Sequence, residues 1–288
     1  MPLVSVIVLT WERERLLAET LEGVLGQTFS DLEVLVVDNE SADGTEAYVR
    51  GIADPRVTYL RHANGGNLSV NRDHGLAHAK GEFVAFCDDD DLWEPRKLQE
   101  QVDAFAAHPE AALVCTQALR FDRDDVFGPM VGRKRTGWVA LEELLGPWHP
   151  VILSSVLARR DVLTELGGFD TDPAIVTIED HDTWVRLAAH GRIWFIAEPL
   201  VRYRVHAQMY SHKDLRDVLA KERVLFSRLR ERGLITLEQN ATAQRAIGRA
   251  WRVATVKEAL KSTRVAKPLL YFARKALWRL RSRGDGGG

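Results

Sequence analysis

Residues 3–9 form a β-branched run, and residues 14–25 then carry apolar side chains at helical spacing, Leu17, Leu21, Val24 and Leu25. This pattern predicts a strand followed by a helix. The alternation continues along the chain. Residues 33–37 read as a second strand closing on Asp38, and 39–45 carry turn and helix-start residues. Strands are predicted over 57–60, 83–87 and 111–117, and helices over 69–79, closed by Gly81, and 96–106. Strands joined by helical spacers predict βαβ units, and hence an α/β protein with a doubly wound, mostly parallel central sheet and helices on both faces. The periodicity fails over 128–150, where Gly137, Trp138, Gly146, Pro147, Trp148, His149 and Pro150 predict an irregular segment of the kind that forms lids and binding loops. A strand over 151–158, a helix over 161–166, a Gly167-Gly168-Phe169-Asp170 turn and a helix from Glu179 to Ala188 follow. Helical patterns over 214–229 and 237–260 predict a C-terminal helical extension.

Composition narrows the class. With 45% hydrophobic and 28% charged residues, collagen-like, mucin-like and wholly disordered chains are excluded. Cys87 and Cys115 lie in apolar runs without CxxC spacing, which excludes a disulfide scaffold or zinc ribbon and favours a reducing compartment. The first apolar run is too short for a signal peptide or membrane span, so a cytoplasmic protein is expected. The net charge of −2 conceals an asymmetry: residues 241–288 hold 12 Lys/Arg against 2 Asp/Glu, net +10, leaving 27 against 39, net −12, for 1–240. The body is acidic and the tail basic.

In such sheets ligands bind at the carboxyl ends of the strands. Thr10, Trp11 and Glu12 end the first strand, Asp38 and Asn39 the second, and Asp88, Asp89, Asp90 and Asp91 the fourth. No GxGxxG follows the first strand, which argues against a nicotinamide or flavin cofactor. Consecutive carboxylates repel unless a cation is near, and hard oxygen donors suit Mg²⁺ or Mn²⁺ shared with substrate phosphates. If the strand persists, Asp88 and Asp90 point the same way, one toward a nucleotide or its ribose and the other toward a metal. A solvated acidic turn capping the helix that begins near Pro95 is the alternative.

The segments VSVIVLTWERERLLAETLEGVLGQTFSDLEVLVVDNESADGT, GGNLSVNRDHGLAHAKGEFVAFCDDDDLWEPRKL, GGFD and IEDHDTWVRLAAHG, in this order over roughly residues 3–212, resemble the family 2 glycosyltransferases of GT-A fold. The resemblance implies an inverting enzyme that moves one sugar from a nucleotide-diphosphate sugar to a hydroxyl of a glycan or lipid-linked acceptor in cell-surface polysaccharide biosynthesis, assisted by Mn²⁺ or Mg²⁺. It implies that Thr10, Trp11, Glu12, Asp38 and Asn39 hold the nucleobase, that Arg72 contacts the nucleotide, and that Asp88, Asp89 and Asp90 hold the ribose and the metal on the diphosphate. Asp180 becomes the general base, with Asp182 as runner-up, and Gly168, Phe169 and Glu179 fall beside the acceptor. It also divides the chain into a GT-A domain over 1–212, with a nucleotide-binding half (1–120) and an acceptor half (121–212), followed by a helical extension over 213–265.

Two positions depart from the pattern. Asn39 stands where many relatives have Asp; its amide oxygen can still accept from a pyrimidine N3–H, so UDP and dTDP both remain open. Asp73 stands where Asn is common, with Arg72 as a possible partner. The Gln-x-x-Arg-Trp signature of processive synthases is absent, which favours one sugar per encounter.

Other readings stay open on the residues. Trp138 and Trp148 either stack on a sugar or anchor their loop, and Trp148 is the candidate for acceptor contact. Asp180 at a helix start suits capping as well as catalysis. His206 lies in a Tyr-Arg-x-His run similar to one in that family, and the resemblance makes it a candidate for the metal or diphosphate where the residue alone would suit a structural or solvent-facing role; Arg202 and Arg204 suit either the diphosphate or a solvated strand face. Residues 266–283 form a basic amphipathic stretch with Trp278 that suits an anionic membrane surface, placing the enzyme peripherally on the inner face, or a packed helix. Residues 284–288 are expected to be disordered, and no nucleic-acid motif is evident. A sugar nucleotidyltransferase would open with a Gly-rich phosphate loop where this chain has TWERER, and a non-catalytic relative would have lost Asp90 or Asp180.

Overall fold

The computed structural model describes residues 2–123, 125–206 and 215–261. The chain alternates as its periodicity predicts: β1 (Val4–Thr10), α1 (Glu14–Leu25), β2 (Leu32–Asp38), α2 (Thr45–Arg50), β3 (Val57–Arg61), α3 (Leu68–His78), β4 (Phe83–Asp88), β5 (Leu92–Trp93), α4 (Lys97–Ala107) and β6 (Ala111–Asp122). Then come β7 (Asp125–Pro129), β8 (Gly137–Val139), β9 (Leu157–Arg159), α5 (Arg160–Glu165), α6 (Glu179–His190), β10 (Arg192–Arg204), α7 (Leu215–Glu231) and α8 (Leu237–Lys261).

One ten-stranded sheet runs in the order β3-β2-β1-β4-β9-β6-β10-β5, with β7 beside β6 and β8 beside β10. Strands β3, β2, β1 and β4 are parallel, as are β6 and β10. The mostly parallel character is interrupted by β9, antiparallel to both β4 and β6, and at the edges by β7 against β6 and by β5 and β8 against β10, all antiparallel. Both faces are covered, which is why β1 and β2 read as unbroken apolar runs rather than alternating ones. Val4, Val6 and Val8 pack with Leu17, Leu21 and Leu98 from α1 and α4 on one face. Ile7, Leu35 and Val37 pack with Leu76, Trp184 and Leu187 from α3 and α6 on the other. Helix α3 approaches β1 so closely that a Cβ on Gly75 would lie 2.6 Å from Ile7 Cγ2; only glycine fits this contact.

Two segments differ from the periodicity. Where 151–158 predicts a strand, the chain makes a 3₁₀ turn at Leu153–Ser155 before the short β9. The cause is polar: Ser154 and Ser155 are buried, Ser155 Oγ donates to the Ile152 carbonyl (2.7 Å) and Ser154 Oγ accepts the Asp88 N–H (3.1 Å). The segment expected to be irregular contributes the end of β7 and all of β8 to the sheet. Trp138 is the loop's anchor: its ring meets Trp194 and His108 edge-on, with the Arg192 guanidinium 3.6 Å above it.

Helices α7 and α8 pack on the body, since Leu219, Leu225, Phe226, Leu229 and Ile247 join the cluster around Trp184. Cys87 and Cys115 are buried free thiols. Among the described residues no helix is long and apolar enough to cross a membrane. The basic stretch 266–283 and the tail 284–288 lie outside the described residues.

Lys97 is fully buried on α4, donating to Gln101 Oε1 (2.8 Å) with its ammonium 3.8 Å from the Trp93 ring centre. Burial pulls its pKa from 10.5 down to about 7. The unfolded chain therefore binds more protons between those values, so this residue makes stability rise with pH through the window. Urea unfolding of Lys97→Met against the parent should show the variant's advantage largest below pH 7 and shrinking above it, by up to about 1.4 kcal/mol per pH unit. A difference independent of pH would contradict this.

Candidate active site

Register places the site. Thr10 pairs with Asp38 and Leu9 with Asp88, so β1, β2 and β4 end side by side. Strand β4 stops at Asp88, and the Asp91 N–H donates to the Asp88 carbonyl (3.2 Å). The four aspartates thus form a turn, not the continued strand that would aim Asp88 and Asp90 alike.

The turn separates their environments. Asp89 is buried and accepts from Thr10 Oγ1 (2.8 Å) and Arg13 Nη1 (3.0 Å); burial pushes its carboxyl up to about 6 against Arg13. Asp90 is half-buried, with Oδ2 at 3.0 Å from both Arg13 Nη1 and His206 Nε2. Burial, reinforced by neighbouring aspartates, raises the Asp88 carboxyl, with Arg72 opposing. Asp91 turns inward, accepts the Arg204 N–H (3.0 Å) and ties the turn to β10. Arg204 donates to the Asp90 carbonyl (2.7 Å) and to Glu19 (2.7 Å), and Arg202 to Glu94 (2.8 Å). Arg204 therefore braces the turn, while Arg202, half exposed, pairs with Glu94 on the solvated face of the strand.

Asp38 is fully buried. Its oxygens accept from Ser41 Oγ (2.5 Å), the Ser41 N–H (3.1 Å) and Tyr59 Oη (2.6 Å), so it shapes the loop after β2 instead of facing a base. Asn39 is half-buried, and its amide oxygen accepts the Asn64 N–H (2.9 Å), leaving one lone pair for a ligand. Trp11 is 57% exposed, and Glu12 sits at φ 50°, its N–H held by Ser41 Oγ (2.7 Å).

The second cluster joins α3 to α6. Arg72 and Glu179 are buried and form an ion pair, with Asp88 and Asp180 adding to the negative field around the guanidinium. Glu179 also accepts the Thr177 N–H (2.5 Å). Thr177 stands at φ 88°, a strained position for a β-branched residue, and Lys221 of α7 donates to the preceding carbonyl (2.5 Å). Glu179 is therefore a partner of Arg72 and a clamp on the turn into α6, not an exposed acceptor contact. Asp180 is half-buried and accepts its neighbour's N–H (2.8 Å). Burial, with Glu179 beside it, lifts its carboxyl up to about 6 against Arg72. Asp182, the runner-up, is buried and committed to Arg186 (2.6 Å).

Three expectations change here. Phe169 is buried, edge-on to Phe86 and Trp184 and 5.3 Å from the Arg72 guanidinium, so it belongs to the core and not to an acceptor surface. Asp73 partners the glycine turn and not Arg72: it accepts the Phe169 N–H (2.9 Å). Gly168, at φ 70°, lies against Asp73 so closely that no Cβ fits, and its carbonyl accepts from Arg186 (2.7 Å). Trp148, by contrast, is 74% exposed and free to stack. The ring of its neighbour His149 lies 4.0 Å from that of His181. His181 Nδ1 faces Glu222 (3.0 Å) and Nε2 the Leu144 carbonyl (2.7 Å). Burial opposes its charge, but Glu222 outweighs it and raises the pKa.

Arg13, Ser154 and Glu222 were not among the sequence candidates. Arg13 carried a signal: a cation three residues past the end of a strand whose neighbour ends in four carboxylates. Glu222, 41 residues beyond His181, carried none.

The donors suit a divalent cation. Asp90 and His206 face each other at 3.0 Å, an oxygen and an imidazole of the kind Mn²⁺ accepts. No group of three or more such side chains converges among the described residues, so a donor's phosphate oxygens would complete the shell. With those phosphates the residues fit the group.

The strand-end carboxylates of a mostly parallel sheet, a buried arginine and a half-buried acid at a helix start meet at one edge of the fold, where α/β sheets bind ligands. The family model for glycosyl transferase family 2 matches residues 5–166, and the chain belongs to that family. It is similar to the putative glycosyltransferase EpsE of Bacillus subtilis, 28% identical over 218 residues, 74% of this chain and 77% of that protein. It also resembles the putative colanic acid biosynthesis glycosyl transferase WcaA of Escherichia coli, 32% identical over 43% of each chain. Among solved structures, S. aureus TarS 1-349 in complex with UDP-GlcNAc superposes with TM-score 0.65 at 21% identity, covering 78% of this chain and 66% of that one. The mannosyltransferase PcManGT from Pyrobaculum calidifontis, in complex with GDP-Man and Mn²⁺, has TM-score 0.61 at 24% identity, covering 98% and 83%.

Proposed function

We propose that the protein is an inverting glycosyltransferase that moves one sugar from a UDP- or dTDP-sugar to a hydroxyl of a glycan or lipid-linked acceptor, in polysaccharide biosynthesis. The observation that carries this reading is Asp180, half-buried at the start of α6, with its carboxyl lifted to about 6 beside the Arg72 and Asp88 cluster. A carboxylate so tuned takes a proton near neutral pH while remaining mostly ionised. Asp180 accepts the acceptor hydroxyl proton, the oxygen forms its bond to the anomeric carbon, and the bond to the diphosphate breaks on the opposite face with the electron pair leaving on the nucleotide. Configuration inverts. Thr10 and Arg13 position Asp89 for the ribose, Asn39 and Trp11 border the base, and Trp148 offers a stacking face to the acceptor sugar. Asp90 and His206 would hold Mn²⁺ or Mg²⁺, which when bound supplies Lewis-acid neutralisation of the leaving diphosphate.

The test is calorimetry with UDP, dTDP, GDP and CDP, with and without Mn²⁺, on the parent and on Asp90→Ala. Metal-dependent binding of a uridine or thymidine diphosphate, lost in Asp90→Ala, is the expected outcome. Binding of none of the four by folded protein would overturn the reading, and GDP alone would overturn its choice of base.

A further inference from the structure

Arg13 lies where the metal reading needs a vacancy. Its Nη1 bridges Asp89 Oδ1 and Asp90 Oδ2 at 3.0 Å each, and the same Asp90 oxygen faces His206 Nε2 at 3.0 Å. The other Asp89 oxygen accepts from Thr10 Oγ1 at 2.8 Å. The Asp90 atom best placed for a metal therefore already serves two donors, one of them a permanent cation. We propose that Arg13 is a resident counter-cation that blocks metal capture by the empty enzyme and makes it conditional on the nucleotide diphosphate. The inference rests on the donor-site reading above.

Four carboxylates in one turn need positive charge whether or not a metal is present, and Arg13 supplies it from the segment between β1 and α1. A divalent ion arriving alone must displace the guanidinium from Asp90 and then sit beside it, cation against cation. A diphosphate changes both terms, because its oxygens offer the guanidinium a forked acceptor equal to a carboxylate and offer the metal its missing ligands. Nucleotide and metal then bind with positive coupling, and Arg13 is the residue that transmits it. The side chain is 28% exposed and caps no helix with a side-chain bond, so its replacement does not open the core.

The test is Mn²⁺ titration followed by electron paramagnetic resonance, with and without UDP, on the parent, Arg13→Gln, Arg13→Lys and Asp90→Asn. In the absence of UDP, Arg13→Gln should bind Mn²⁺ more tightly than the parent by about tenfold or more, the least that removing a unit charge a few ångströms away yields near a protein surface. Arg13→Lys, which keeps the charge, should stay near the parent. The factor by which UDP strengthens Mn²⁺ binding should be smaller in Arg13→Gln, and Asp90→Asn should lose the site. Equal or weaker Mn²⁺ binding by Arg13→Gln without UDP would overturn the inference while leaving the donor site intact. Failure of every variant to bind Mn²⁺ even with UDP, while UDP itself binds, would overturn it together with the metal part of the reading.

Discussion

Asp180→Asn should lower turnover by about 10²–10⁴, the contribution of one positioned base, with UDP or dTDP affinity unchanged. The substitution keeps the side chain's volume and its acceptor oxygen toward the His181 N–H, so the start of α6 stays as it is. Only the proton acceptor is removed. The wild-type rate should also report the carboxyl directly. Burial and Glu179 hold Asp180 at about 6, so activity should rise with pH toward a plateau above that value and fall below it as the base becomes protonated. The measurements are kcat against pH and nucleotide binding by calorimetry on both proteins. A variant that retains parental turnover would remove Asp180 from the chemistry, and one that loses nucleotide affinity in parallel would make it a donor-binding residue.

How much of this was legible in the sequence depends on whether a residue's role is local. The apolar runs of β1, β2 and β4 declare strands buried on both faces, and the polar residues that end them declare the binding edge, because both follow from positions close in the chain. Trp148 and Trp138 were indistinguishable by composition, and only the packing of Trp138 on Trp194 and Arg192 separates the anchor from the exposed ring. Phe169 is a site candidate only through the family resemblance, which sets its turn beside the acceptor; its ring turns into the core against Phe86. The antiparallel β9 was hidden for a similar reason. Its three residues have no periodicity of their own, and Ser154 and Ser155, which look like loop residues, are buried, Ser154 Oγ taking the Asp88 N–H and Ser155 Oγ donating to the Ile152 carbonyl. Asp73, Glu179 and Arg13 each owe their role to a partner at least 76 residues away, a distance at which spacing carries no information. The acidic turn is legible as a place that needs positive charge, and the chain itself brings part of that charge with Arg13.

The Arg72–Glu179 pair should be the most sensitive contact for stability. Both side chains are no more than 5% exposed, and removing one partner from such a pair strands a buried charge at a cost of about 3–5 kcal/mol. Glu179→Ala should fall at the lower end, about 3 kcal/mol, because Asp88 and Asp180 still face the guanidinium. It also releases the Thr177 N–H at a strained residue. Thermal unfolding should shift down by roughly 6–12 °C for a chain of this size. The double variant Arg72→Met/Glu179→Met separates stability from function, since replacing both members of a buried pair by apolar groups is often nearly neutral. It should recover most of the lost stability while losing nucleotide affinity, as the Arg72 guanidinium lies in the field of Asp88 and Asp180 and its Nε has no hydrogen-bond partner among the described residues. Urea unfolding and calorimetry on the same three proteins decide the matter. If the double variant binds UDP as the parent does, the ion pair is only a brace for α6. If it stays as unstable as Glu179→Ala, the pair stabilises the fold beyond its own desolvation cost, and its retention needs no functional reason.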